Sequence, residues 1–411
     1  MLSSMKRILL FIPFLLSACA PTVKTNLLGN PQEPYRPAHT PQLGDILNIP
    51  TGHYVSEVQM LRIAENYRIV YVGETHDNPA SHRQELTVLK AMAQRYPGRL
   101  ALGMEMFTPV QQGALDEWVA GKLTEKQFLK KTRWYRTWGF DFDYYKPLLD
   151  FARDNRIPVV GLNAQKSLVR EVGHKDFSEL PPEERDKLPE MDMADPYERA
   201  LVKSIYGVHD HGHGNLQAFL RVQTLWDETM AQNVAGYLSA RGKEDWHMVV
   251  LAGGSHIRYG FGIPRRVFRR MPTSYLLVGS REIVIPKNLQ DRLMDVEEPD
   301  FPMPPYDFLA FTKYETLPEG KVKLGVLLED KDRQVAIRAV VPESTAAEAG
   351  LRAGDVLLKF DGEPVTESFD VIYEVKQKKP GDKGTLVIQR DGREMPVTVT
   401  FKKLPEHSHG K

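Results

Sequence analysis

The chain has one cysteine, Cys19, among 411 residues. A single thiol excludes an internal disulfide and any metal site built from several cysteines. There is no surplus of charge, because 54 Lys and Arg balance 54 Asp and Glu. No basic stripe stands out, which argues against nucleic acid as a partner. Long apolar runs are also missing. Ile8 to Leu16 is apolar, but it falls well short of the roughly twenty helical residues that cross a bilayer. No later run is long enough either, and no internal repeat is visible.

What is there begins with Lys6 and Arg7, followed by the short apolar run and then Leu16-Ser17-Ala18-Cys19. Two small residues before a cysteine let a peptidase reach the backbone. This resembles the lipobox of bacterial lipoproteins, with an ordinary secretory signal as the alternative. The resemblance implies a signal peptide over 1–18, cleavage before Cys19, and lipid on its thiol. Several acyl chains on one residue anchor stably where one does not. Ala20, in place of an acidic residue, implies sorting to the outer membrane, facing the periplasm. Residues 19–50 are rich in Pro, Asn, Thr and Gln. Such a segment buries too little surface to offset its ordering entropy and reads as a tether.

The rest is long enough for two domains. Over 51–285, apolar runs at Arg68–Val72, Leu100–Met104, Pro158–Leu162, His247–Ala252 and Tyr275–Val278 suit strands covered on both faces. Helical patterns lie between them at Ser81–Tyr96, Lys146–Arg156 and Leu216–Ala240. Alternation of this kind predicts an α/β fold, a mainly parallel sheet with flanking helices.

Polar residues gather where these strands end. The first runs into Gly73-Glu74-Thr75-His76, the second into Glu105, the third into Asn163, and the fourth into Gly253-Gly254-Ser255-His256. Ligands of open parallel sheets bind beyond the carboxyl ends of the strands. Either histidine alone is more simply a hydrogen-bonded loop residue. Glu105, between Met104 and Met106, is costly to bury unless paired, and the set together predicts a functional rim.

Two Gly-x-x-His elements with a glutamate between them resemble the Tiki/ChaN superfamily. Trp226-Asp227-Glu228-Thr229-Met230-Ala231 and Gly262-Ile263-Pro264 look like further ChaN segments. The resemblance covers about residues 55–285. It implies one of two functions. ChaN-like lipoproteins are implicated in haem binding and iron acquisition, with haems face to face between subunits and a tyrosine on the iron. A homodimer follows from that arrangement. Tiki-like members use the His and Glu positions as a metal-dependent protease. A haem site needs an axial ligand, apolar walls and cations, and Tyr259, Arg258 and His256 form one local set that could supply them. The alternative packs Tyr259 against a helix end. A divalent metal ion would take His76, Glu105 and His256, leaving a position for water, with Glu74 as general base. His209-Asp210-His211-Gly212-His213 could hold zinc, nickel or copper, or be a solvated loop.

Residues 286–315, with Pro302-Met303-Pro304-Pro305, read as a linker. After it come short strands at Lys323–Leu328, Gln334–Val341, Asp355–Phe360, Gly384–Arg390 and Met395–Phe401, and a helix at Phe369–Lys378. Ala349-Gly350-Leu351-Arg352-Ala353-Gly354-Asp355-Val356-Leu357-Leu358 resembles the PDZ domains of bacterial envelope proteins. That resemblance covers 316–403, leaving 404–411 as a tail. It implies that C-terminal peptides add to a sheet edge while Leu324, Gly325 and Val326 hold the carboxylate. A degenerate PDZ that only packs on the large domain is the alternative. The first expectation of function is therefore a cell-envelope lipoprotein binding haem or an iron compound. The alternatives are a Tiki-like peptidase whose PDZ domain recruits substrate, and a PDZ scaffold with an inert rim.

Overall fold

The computed structural model describes residues 35–209, 215–240, 245–292, 296–317, 322–332 and 334–402. Cys19 with its signal region, the side chains of the His209–His213 cluster and the C-terminal tail lie outside these residues.

Eight strands form the large sheet: β1 Ile46–Asn48, β2 His53–Val55, β3 Ile69–Glu74, β4 Leu100–Met104, β5 Val159–Gly161, β6 His247–Gly253, β7 Tyr275–Val284 and β8 Phe308–Lys313. Their order is β2-β1-β8-β7-β3-β6-β4-β5. The six from β8 to β5 pair in parallel. The β1–β2 hairpin is antiparallel and adds to β8.

The apolar runs are continuous because both faces are covered. Val70, Val72, Val249 and Leu251 point into one core with Val88, Leu89 and Met92 of helix Pro79–Arg95. The alternate residues Ile69, Tyr71, Met248 and Val250 meet Met230, Ala231, Val234 and Leu238 of helix Leu216–Ala240. Each buried aliphatic side chain contributes about 1.5–3 kcal/mol. Helix Pro79–Arg95 starts two residues earlier than its apolar pattern suggests. Asn78 caps it by accepting from Ala80 N, and proline takes the first turn, where a missing N–H costs nothing.

The sheet corrects two boundaries. The tether expected over 19–50 already contains β1, and the linker expected over 286–315 contains β8, so one sheet draws on residues from Ile46 to Lys313. The prolines precede β8 rather than interrupt it, so no ladder donor is lost. Phe308, Leu309, Ala310 and Phe311 are buried. Asp307 fastens the strand by accepting from Leu277 N at 2.8 Å while its own N–H donates to Leu277 O.

The C-terminal module is an antiparallel sheet of β9 Val326–Lys331, β10 Gln334–Val340, β11 Val356–Phe360, β12 Glu363–Pro364, β13 Lys383–Arg390 and β14 Arg393–Thr400, with helix Ser368–Lys376. Its order is β14-β13-β11-β10-β9, which leaves β9 at an edge. The first strand of this module begins three residues later than expected, so Lys323, Leu324 and Gly325 form a loop ahead of it.

Candidate functional site at the strand ends

β3, β6 and β4 are neighbours, and their carboxyl ends carry Glu74, the Gly253–His256 turn and Glu105. Register sets Glu74 beside Gly253. Glu105 lies one residue past β4, where its Oε2 accepts from Gly253 N at 2.7 Å. A side chain at Gly253 would press on the His76 ring, its Cβ only 3.1 Å from Nε2. Glycine here lets the imidazole lie against the backbone.

The two histidines are oriented alike. His76 Nδ1 meets Glu74 Oε1 at 2.5 Å, and His256 Nδ1 meets Asp227 Oδ1 at 2.7 Å. Each ring therefore gives Nδ1 to a carboxylate and keeps Nε2 for the rim. His256 Nε2 stands 3.6 Å from Glu105 Oε1. Two ligands of one tetrahedral ion, each at about 2.0–2.2 Å, lie roughly that far apart. A carboxylate behind a ligating histidine is also the usual support that fixes its tautomer. His256 and Glu105 have side chains 7% exposed, whereas His76 is 28% exposed and forms the accessible edge. Trp138 and Phe140 wall that edge, each ring 5.0 Å from the imidazole. Burial alone would lower the His256 pKa, but Asp227 and Glu105 outweigh it and lift it to about 9. His76 is raised too, because Glu74 overcomes its burial.

Glu74 was expected at the rim as a general base. It lies beneath, its side chain fully buried, and its work is positioning. Tyr145 donates to Oε1 at 2.9 Å, and His82 Nδ1 sits 3.1 Å from Oε2 and 2.9 Å from Glu85 Oε2. Burial would raise Glu74, but His82 and His76 bring it well below the usual range, while burial and Glu74 push Glu85 far above it. His82, Glu85 and Tyr145 escaped the sequence reading, and Asp227 entered it only within a ChaN-like segment, not as a site residue. For Asp227 the signal was available, a carboxylate within the apolar stripe of Leu216–Ala240. Asn163 ends β5 at the sheet edge, its Oδ1 accepting from Ala164 N.

Tyr259 and Arg258 are placed elsewhere. The Tyr259 hydroxyl donates to Glu298 Oε2 at 2.7 Å, and its ring packs with Phe261 and Phe301 in a separate cluster. Arg258 pairs with the same Glu298. Burial and Glu298 both raise the Tyr259 pKa, opposite to what a tyrosinate ligand needs. Tyr259 and Arg258 of the expected set thus share Glu298, whereas His256 turns Nδ1 to Asp227. Nearby, Tyr306 of the proline-bearing strap fills the space above three glycines. Its hydroxyl would meet a Cβ on Gly73 or Gly254 at 3.1 and 3.0 Å, and its ring one on Gly279 at 2.6 Å.

A family model described as "Haem-binding uptake, Tiki superfamily, ChaN" matches residues 60–267, just over half of the chain. The chain belongs to this family. Its ChaN-like domain also shares its fold with the solved structure titled "Cofacial heme binding to ChaN of Campylobacter jejuni", at 15% identity and a TM-score of 0.50, covering 65% of this chain and 95% of that one. A PDZ domain model matches residues 322–401. Among curated relatives, a probable periplasmic serine endoprotease DegP-like of Marinomonas sp. (strain MWYL1) is 34% identical over 102 residues, 21% of this chain and 22% of the relative. Serine protease HTRA1 of Xenopus tropicalis is 40% identical over 93 residues, 22% of this chain and 20% of the relative. The chain thus spans about a fifth of the length of these relatives.

In the PDZ domain the loop before β9 is held from behind. Ala346 N donates to Leu324 O at 2.8 Å and Val341 N to Gly325 O at 2.9 Å. Gly325 has φ +83°, and a Cβ there would lie 2.2 Å from Ser344 Cβ, so only glycine makes this turn. Among the described residues nothing accepts from the Leu324 and Gly325 N–H groups. Leu324 itself is buried in the PDZ core, while Val326 opens the edge strand.

The PDZ domain docks on the ChaN-like domain through helix Ser368–Lys376. Lys126 reaches Glu374 at 2.6 Å, Lys130 reaches Glu367 and Asp370 at 3.0 and 3.2 Å, and Lys376 reaches Asp141 at 3.3 Å. These contacts use one side of the helix. Val371 and Val375 face the PDZ core, and Ile372 stays 42% exposed. Packing on the large domain therefore leaves the groove between helix and edge strand open.

Proposed function

We propose that this protein binds haem or an iron compound, with the rim of His76, Glu105 and His256 as its metal-facing part and with a role in iron acquisition at the cell envelope. The observation that carries the reading is the matched pair of imidazoles. Each has Nδ1 spent on a carboxylate, and His256 Nε2 stands 3.6 Å from Glu105 Oε1, in a family described by haem uptake. Two histidines and one carboxylate are a ligand set that suits iron. Trp138 and Phe140 give a flat macrocycle an apolar edge to lie against. Bound iron supplies the Lewis acidity, and the chain holds its ligands and excludes water. Titration of the full chain with haemin, followed in the Soret region, tests this. A shifted band at stoichiometric haemin is expected. It should be lost on replacing both His76 and His256 by Ala, and an unchanged band in that variant refutes the assignment.

The family resemblance adds that haem is shared between two copies of the chain, so haemin should double the sedimenting mass. Anchoring rests on Leu16-Ser17-Ala18-Cys19. Cys19→Ser should abolish labelling with fatty acid and release from the membrane fraction by detergent alone, whereas acylation of that variant would sink the anchor.

A second reading is favoured by the open PDZ groove, which haem capture does not need. In it the same ligands hold a hydrolytic divalent ion and the PDZ domain recruits a polypeptide. His76, Glu105 and His256 would then hold the ion, which would supply Lewis acidity toward a bound carbonyl. Among the described residues it is Glu74, His82 and Glu85 whose ligand atoms all lie within 4.8 Å of one another, closer than those of the rim set, but they lie buried in the interior.

A further inference from the structure

The segment between helix Glu125–Thr132 and Phe142 has two working sides. Tyr135 stacks on Phe369 at 6.2 Å between centroids, and Arg136 lies 3.6 Å from Asp330 of β9. Two residues further on, Trp138 meets the His76 ring, and Phe140 meets it after that. One short stretch of backbone therefore forms both the far end of the PDZ groove and the wall of the rim.

The direction of a bound peptide follows from the fold. The carboxylate loop, Leu324 to Val326, stands at the start of β9. Asp330, near the other end of β9, accepts from both Ser368 N at 2.7 Å and Ser368 Oγ at 2.8 Å, which closes helix and strand together there. A chain held by its terminal carboxylate must run along β9 and leave past Asp330. It meets Arg136 on leaving, with a side chain 73% exposed. The Arg136–Asp330 contact is long and solvent-facing, so a carboxylate from the peptide can replace it at little cost.

We infer that the exit of the PDZ groove is a second recognition site, selecting polypeptides that carry acidic residues just upstream of a free C-terminus, and that it leads them to the rim. This rests on the PDZ domain binding C-terminal peptides. Six residues pair along β9. Arg136 and Phe140 are four residues apart, a distance an extended chain spans within about 14 Å. Residues roughly ten from the C-terminus then reach the edge of His76. The occupant is a protein tail with an apolar end and an acidic stretch before it, because its carboxylates can take the place of Asp330 on Arg136 while its apolar end meets Val326, Leu328 and Ile372.

The test uses the full chain and fluorescent peptides of about twelve residues sharing one apolar C-terminal sequence. One peptide carries two Asp where it passes Arg136, and another carries two Lys there. A peptide of about five residues has the C-terminal sequence alone. The acidic peptide should bind at least fivefold more tightly than the basic one. Arg136→Glu should erase or reverse that preference and leave the five-residue peptide unchanged. A nitroxide on the first residue of the acidic peptide should quench wild-type tryptophan emission more than that of Trp138→Phe. Equal affinity of the acidic and basic peptides, or equal quenching in both proteins, overturns the exit site while the PDZ reading stands. Failure of the five-residue peptide to bind overturns both.

Discussion

Asp227 decides whether the rim is organised for a metal or merely polar. It is 3% exposed, and its Oδ1 takes His256 Nδ1 at 2.7 Å, which leaves Nε2 facing Glu105. Asp227→Asn keeps the size and removes the charge. The amide can present its NH₂ to Nδ1, which favours the tautomer with hydrogen on Nε2 and blocks that nitrogen as a ligand. Loss of a carboxylate behind a ligating histidine costs about 10–100-fold in metal affinity, or about 1.4–2.8 kcal/mol. A charge-assisted hydrogen bond of about 1.5–3 kcal/mol gives the same range independently. The assay is competition for zinc, a spectroscopically silent probe ion, between the protein and a coloured chelator. Circular dichroism confirms the fold. Asp176→Asn is the control, because it removes only a solvent-facing partner of Arg221. Zinc affinity within twofold of wild type in Asp227→Asn, with the fold intact, refutes the ligand assignment.

Tyr259→Phe should leave haemin binding unchanged and lower stability by about 1 kcal/mol in chemical denaturation, because its hydroxyl serves Glu298; a lost Soret shift would return it to the site. Gly279→Ala should destabilise by about 1–3 kcal/mol, because the new Cβ meets the Tyr306 ring at 2.6 Å, and thermal melting reads it. In the PDZ domain, burial would raise Asp355, but the hydrogen bonds from Arg390 at 2.6 and 2.7 Å lower it. Its contribution is complete above the unfolded carboxylate pKa, near 4, and fades as pH falls through the lower folded value. Asp355→Asn should therefore destabilise the protein at pH 7 and lose that effect toward pH 3, in melts across that range.

The parallel sheet was legible because strands buried on both faces read as unbroken apolar runs. The histidines and Glu105 were legible because they follow those runs directly. What stood behind them was not. His82 and Glu85 look like ordinary polar residues of an amphipathic helix, and Tyr145 like core; only the register of β3 against its neighbours puts all three around Glu74. Glu74 and His76, two residues apart at the end of β3, touch each other, which the sequence does not disclose. The placement of Tyr259 was unpredictable, because its partner Glu298 comes from the strap thirty-nine residues later. The dense prolines of that segment read as a linker or a strap between domains, and β8 begins just past them.

The most direct measurement is anomalous scattering at the iron edge from crystals of the full chain grown with haemin. The account predicts a peak within bonding distance, about 2.0–2.2 Å, of His76 Nε2 or His256 Nε2. A peak at the Tyr259 hydroxyl, or one remote from both histidines, contradicts it.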